Sequence, residues 1–239
     1  MFPLSSSRKQ WIGRACATAL LFHGTLAYSA VLATYGFIDN SMSPDAVEPF
    51  LSAGSVSAGA GLTLFESTTT NTRGFPAALF QGGDDGVLQL RSGGTPSEDA
   101  AVTANSYIEI VLEVDPGHRL DLSQLTFNAA STGASQPRIF AVQANAGSGF
   151  VPVGSSAGLT ESVVTNTTLD LSLFTGVTAP ISFRFYVVDG ATSGTRTLGI
   201  DDITFEGTVE AIPEPAATAL FLLCGVGLLL RKVAPRLHD

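Results

Sequence analysis

Few side chains in this chain combine the type and spacing that chemistry needs. Asp201 and Asp202 stand side by side in Leu198-Gly199-Ile200-Asp201-Asp202-Ile203. Asp39 follows an early strand-like stretch, Thr34-Tyr35-Gly36-Phe37, and comes near them if the first and last strands pair. Ca²⁺ takes oxygens from carboxylates and carbonyls held on loops. Asp39, Asp201 and Asp202 are therefore the candidate set for a structural calcium, the only cofactor the sequence suggests. Neighbours on a strand point to opposite faces, so one aspartate of the adjacent pair faces any given site. Asp84 and Asp85, inside Gly82-Gly83-Asp84-Asp85-Gly86, form a second loop candidate, although aspartate in such turns is also ordinary turn chemistry.

Sugar binding usually relies on exposed aromatic rings. Trp11 lies near the N-terminus, which leaves Tyr107 and Tyr186 as the candidate rings, since most phenylalanines fall at inward positions. Catalytic constellations are thin. Glu109 and Glu113 share one face of one strand, which suits solvation better than two carboxyls flanking a glycosidic bond. His118 sits in the turn Asp115-Pro116-Gly117-His118, an ordinary place for a solvated histidine. The sequence contains no HExxH helix and no phosphate-binding loop. The reading is a protein without catalytic activity of its own.

The elements that must position these residues are strands. Ile108, Ile110, Leu112 and Val114 alternate with Glu109, Val111 and Glu113, a half-buried strand with an acidic outer face. Leu120 to Phe127 and Ile139 to Val142 read the same way. So do Leu169 to Leu173, Ile181 to Val188, and a final strand from Leu198 to about Val209. Glycine-rich turns separate them, and long helical periodicity is missing. The expected fold is all-β: a β-sandwich, jelly-roll-like. Residues 40–100 are the least readable, with parts reading as long loops, and 206–212 read as a short stalk.

Between residues 30 and 212 there is no lysine, and six arginines face nineteen acidic residues, a net charge of −13. That surface excludes nucleic acid, whose phosphates need neutralising. Both cysteines, Cys16 and Cys224, lie outside this span, so the fold has no disulfide to rely on.

The ends carry addresses. Arg8, Lys9 and Arg14 precede a short apolar core, Ala15 to Phe22, with small residues after it. This reads as a signal peptide, residues 1–29, with cleavage after Ser29 or, alternatively, after Ala33. At the other end, Pro213-Glu214-Pro215 leads into an apolar run, 216–230, closed by Arg231 and Lys232. The two prolines keep the approach extended. Fifteen residues make a helix of roughly 22 Å, short of a bilayer core of about 30 Å. Arg231 and Lys232 can snorkel to the headgroups and point the C-terminus at the cytoplasm.

This order of elements resembles the PEP-CTERM sorting domain of exosortase substrates in Gram-negative bacteria, and residues 210–239 are similar to it in Pro213, Glu214, Pro215, the apolar run and the basic stop. The resemblance implies an exosortase-like processing protease as partner. It also implies a precursor held in the inner membrane, then release to the cell surface or the extracellular matrix, where exopolysaccharide is the associated polymer. Residues 30–209 resemble the sandwich ectodomain common in such proteins. The resulting expectation is an exported surface or matrix protein, structural or adhesive. The alternative is a carbohydrate-binding jelly-roll module with structural calcium.

Overall fold

The computed structural model describes residues 29–38, 41–65, 86–132, 138–192 and 197–212. Within them the chain folds into two antiparallel sheets packed face to face. The larger has seven strands. Its spine is β8 (His118–Ser131) against β13 (Leu198–Ala211), paired from Leu198↔Ser131 to Ala211↔His118. Outside β8 lies β11 (Thr165–Asp170). The other side of β13 is shared. Its first residues take β6 (Leu88–Ser92), which carries β5 (Leu62–Phe65), and its middle takes β1 (Ala30–Tyr35), which carries β2 (Ala46–Val47). The smaller sheet has six strands. It runs β10 (Val151–Ser155), β9 (Ile139–Asn145), β12 (Ile181–Val188), β7 (Tyr107–Val114), and β7 then carries both β3 (Leu51–Ala53) and β4 (Ser57–Ala58).

Alternation explains the layering. In β7, Ile108, Ile110 and Leu112 are fully buried while the residues between them are not. In β12, Ile181, Phe183 and Phe185 do the same, and Phe127 and Phe205 answer them from the larger sheet. Phe127 meets Phe185 edge to face, with centroids 5.5 Å apart at 80°, and Phe183 meets Phe205 at 4.8 Å. Such pairs add about 0.5–1.5 kcal/mol each beyond the area they bury. The all-β expectation holds for the described residues, with one exception. Helix α1 (Glu98–Ala104) starts at Ser97, whose Oγ accepts from Ala100 N, and ends at Asn105 in the left-handed region (φ 54). Its Ala101 packs on the outer face of the smaller sheet, against Ala141, Tyr186 and Val188.

The described part of residues 40–100 holds strands β2 to β6 and the start of α1. Two sequence expectations need correction. The alternation Leu169 to Leu173 stops early: β11 ends at Asp170, whose Oδ1 accepts from Ser172 N, and Leu173 is 90% exposed on the turn that follows. The stalk at 206–212 is strand. Glu210 pairs with Arg119, Ala211 with His118, and Ile212 N donates to Gly117 O at 2.8 Å. β13 also passes close to β8 at Gly207, where a Cβ would stand 2.2 Å from Asp121 O. No helix among the described residues is long and apolar enough to cross a membrane. Residues 1–28 of the signal segment and the apolar run 216–230 lie outside the described residues.

Candidate functional site

The face of the smaller sheet turned away from the core carries the most organised group of polar and aromatic side chains. The strand register puts Gln143 of β9, Arg184 of β12 and Glu109 of β7 in one row. The next row holds Ala141, Tyr186 and Tyr107. Helix α1 lies over that second row and closes one end of the face. The face stays open on the other side, towards Asn145, Ser182 and Val111, all partly exposed.

Arg184 is its centre. The guanidinium carbon lies 4.1 Å from the Tyr107 ring centroid and 4.1 Å from that of Phe150, so two rings clamp one cation. Phe150 reaches this position from the turn after β9. There Asn145 Oδ1 accepts from Gly147 N and Gly149 N, at 2.8 and 3.0 Å. Both glycines hold φ near +100, which a side chain would oppose. Glu109 Oε2 stands 3.5 Å from Arg184 Nη2. A charge-assisted bond is about 2.7–2.9 Å, so this pair is loose. Gln143 Nε2 donates to Glu98 Oε1 of α1 at 2.9 Å. Burial works against the charged guanidinium, but the Tyr186 hydroxyl and the Glu109 carboxylate outweigh it and hold the arginine pKa above its usual range.

Of the two candidate rings, the structure brings both to this face but exposes only one. Tyr107 is partly exposed beneath Arg184. Tyr186 is 2% exposed, edge-on to Tyr107 at 5.4 Å and covered by Ala101 of α1. It packs, and offers no ring to a ligand arriving from solvent. Arg184 and Phe150 were missed in the sequence. Arg184 was legible as the only base in β7, β9 and β12. Phe150 was not, because its place depends on a turn folding back over a strand distant in sequence.

The aspartates fall elsewhere. β1 and β13 do pair, with Tyr35 opposite Ile203. Asp201 is buried, whereas Asp202 is exposed at φ 50 and its Oδ2 accepts from Asn128 Nδ2 at 2.7 Å. Asp39, Asp84 and Asp85 lie outside the described residues. Among the described residues no group of three or more His, Cys, Asp or Glu is placed to hold a metal. His118 stacks on Phe50, centroids 4.3 Å apart and 12° from parallel, at the turn between β7 and β8. Glu113 is exposed two residues beyond Val111 and opposite Ser52. The string Gly154-Ser155-Ser156-Ala157-Gly158 has the Gly-x-Ser-x-Gly pattern of a nucleophile elbow. Here it ends an edge strand, and Ser156 is buried with its Oγ accepting from Phe140 N at 3.0 Å. It is a packing element. Pro213, Glu214, Pro215, Arg231 and Lys232 lie outside the described residues, the first of them directly after Ile212.

No protein-family model matches the sequence, and no curated protein matches it. Among solved structures the chain is similar to a family 29 carbohydrate-binding module, at 12% identity over 75% of this chain and 90% of that one, with a TM-score of 0.36. It is similar to TmCBM61 in complex with β-1,4-galactotriose, at 13% identity over 74% and 94%, TM-score 0.39. It is also similar to the cleaved adhesin domain of Lys-gingipain from Porphyromonas gingivalis, at 14% identity over 76% and 99%, TM-score 0.37. These are remote likenesses.

Proposed function

We propose that this chain is an exported, non-catalytic, jelly-roll-like sandwich that binds polysaccharide at the cell surface or in the extracellular matrix. The observation that carries the reading is the partly exposed stack of Tyr107, Arg184 and Phe150 beside Glu109 and Gln143. It presents apolar ring edges together with donors and acceptors on a rigid strand scaffold, which is the mixture a pyranose offers in return. The net charge of −13 over residues 30–212 sets nucleic acid aside as a partner.

Export and sorting follow from the two ends. Cleavage after Ser29 would leave β1 whole, whereas cleavage after Ala33 would remove Leu32 and Ala33, both fully buried. The resemblance of Pro213-Glu214-Pro215 and the apolar run to a PEP-CTERM tail supports passage through an exosortase-like route. A structural calcium would draw on Asp39 with Asp201 or Asp202.

The test uses purified full-length protein in a detergent without a sugar headgroup, run by affinity electrophoresis against a panel of polysaccharides. Retardation by at least one polymer is expected, and loss of it in Phe150→Ala and Tyr107→Ala. Free migration through every gel, with the fold intact, would overturn the reading.

A further inference from the structure

We infer that the site on the smaller sheet selects neutral polysaccharide by gripping vicinal hydroxyls between Arg184 and Glu109, and rejects polymers bearing carboxylate or sulfate. This rests on the polysaccharide reading above and narrows it to a ligand class.

The argument starts from the looseness of the pair. At 3.5 Å neither Arg184 Nη2 nor Glu109 Oε2 is held by the other at full strength. Both side chains are partly exposed, so solvent and a ligand can reach the pair. One is a fixed donor and the other a fixed acceptor. Two neighbouring sugar hydroxyls match that couple: one oxygen accepts from the guanidinium while the adjacent O–H donates to the carboxylate. Tyr107 and Phe150 immobilise the guanidinium from both sides, so little side-chain freedom remains to be lost on binding. Gln143 in the same row adds an amide that can serve as donor or acceptor.

Charge decides between neutral and acidic ligands. Arg184 is the only base in β7, β9 and β12. Glu109 and Glu113 rise from β7 on the same side, and Glu98 approaches from α1. A ligand carboxylate could accept from Arg184, but it would meet Glu109 at hydrogen-bond range with no donor to offer it. Like charges brought into one partly desolvated site are repelled, and the chain's overall negative charge adds to this at long range.

The experiment measures binding of full-length protein, in the same detergent at about 0.15 M salt, to a β-glucan, a mannan and a xylan on one side, and to alginate and polygalacturonate on the other. Binding to a neutral polymer without binding to either acidic one is expected. Glu109→Gln keeps shape and removes only the charged acceptor. It should weaken neutral binding about tenfold or more with the melting temperature little changed. Arg184→Lys loses the clamped planar fork and should weaken it at least as much. Binding to alginate equal to or tighter than to every neutral polymer would overturn the inference and leave polysaccharide binding standing. So would unchanged neutral affinity in Glu109→Gln. Binding to none of the five polymers would overturn both.

Discussion

Ile200 and Ile203 are both fully buried on the same face of β13 although they stand three positions apart. Strict alternation would put them on opposite faces. A bulge resolves the conflict: the pairing with β8 shifts between Asp201 and Thr204, and Asp202 takes φ 50. The bulge also marks where β13 changes neighbours, from β6 at Ile200 to β1 at Ile203. Asp202 N donates to Asp201 Oδ1 at 2.8 Å, which steadies the kink.

Asp202→Val places a β-branched residue in the left-handed region and should cost about 1–3 kcal/mol. Asp202→Gly accepts that conformation freely and loses only the exposed bond from Asn128, so it should stay within about 1 kcal/mol of wild type. Urea unfolding of the two variants side by side decides this. Equal losses would show that the bulge conformation carries no strain.

Asp189 is a buried staple between β12 and the loop before α1. Its carboxylate accepts from Ser92 Oγ at 2.6 Å, Thr95 N at 3.0 Å and Ala191 N at 2.9 Å. Asp189→Ala strands those donors away from water and should destabilise by about 2–4 kcal/mol. Thermal melting would then fall by several degrees or more. Because Thr95 Oγ1 also donates to Val187 O, Thr95→Val should show a smaller loss in the same direction.

Tyr35 is fully buried, and its hydroxyl donates to Gly54 O at 2.7 Å. Burial disfavours the phenolate and raises its pKa above the usual range. The unfolded chain releases this proton near pH 10, whereas the folded chain retains it. The contribution to stability is therefore complete below about pH 10 and is lost as pH rises beyond that. Denaturation midpoints measured from pH 8 to 11 should decline at the alkaline end. Tyr35→Phe should flatten the decline while costing about 1 kcal/mol at neutral pH. A decline of unchanged steepness in the variant would assign it to other groups.

The last strand bears on processing. Backbone pairing continues to Ala211 and Ile212 N is bonded to Gly117, one residue before Pro213. Arg119 grips Glu210 across the same pair. A protease acting at 213–215, as the proposed sorting requires, must work against a chain still held in the sheet. A short Gly-Ser insertion after Ile212 should speed conversion of the precursor in cells, followed by gel mobility of an epitope-tagged chain. Conversion at the original rate would mean that the sheet end is no obstacle.

Much of the layering was legible in residue order. A period of two in β7 and β12 sorted their side chains between core and surface without any knowledge of partners, because a strand's pleat is a local property. The turn Asp115 to His118 was legible for the same reason: proline and glycine restrict the backbone where they stand.

Everything set by contact between distant segments needed the folded chain. The alternation that marked Tyr186 as outward was right about its side of the sheet, yet α1, more than eighty residues earlier in the chain, covers that ring and leaves Tyr107 to the solvent. The pattern Leu169 to Leu173 continues past the point where the chain turns out of the sheet, although β8 runs on and its Ser123 O still accepts from Leu171 N. Arg184 became a site only when β12 paired with β7 and a glycine turn carried Phe150 over it. Sequence periodicity determined which way a side chain points; long-range packing decided what lies there to meet it, because that depends on which strands become neighbours and not on the order of residues within any one of them.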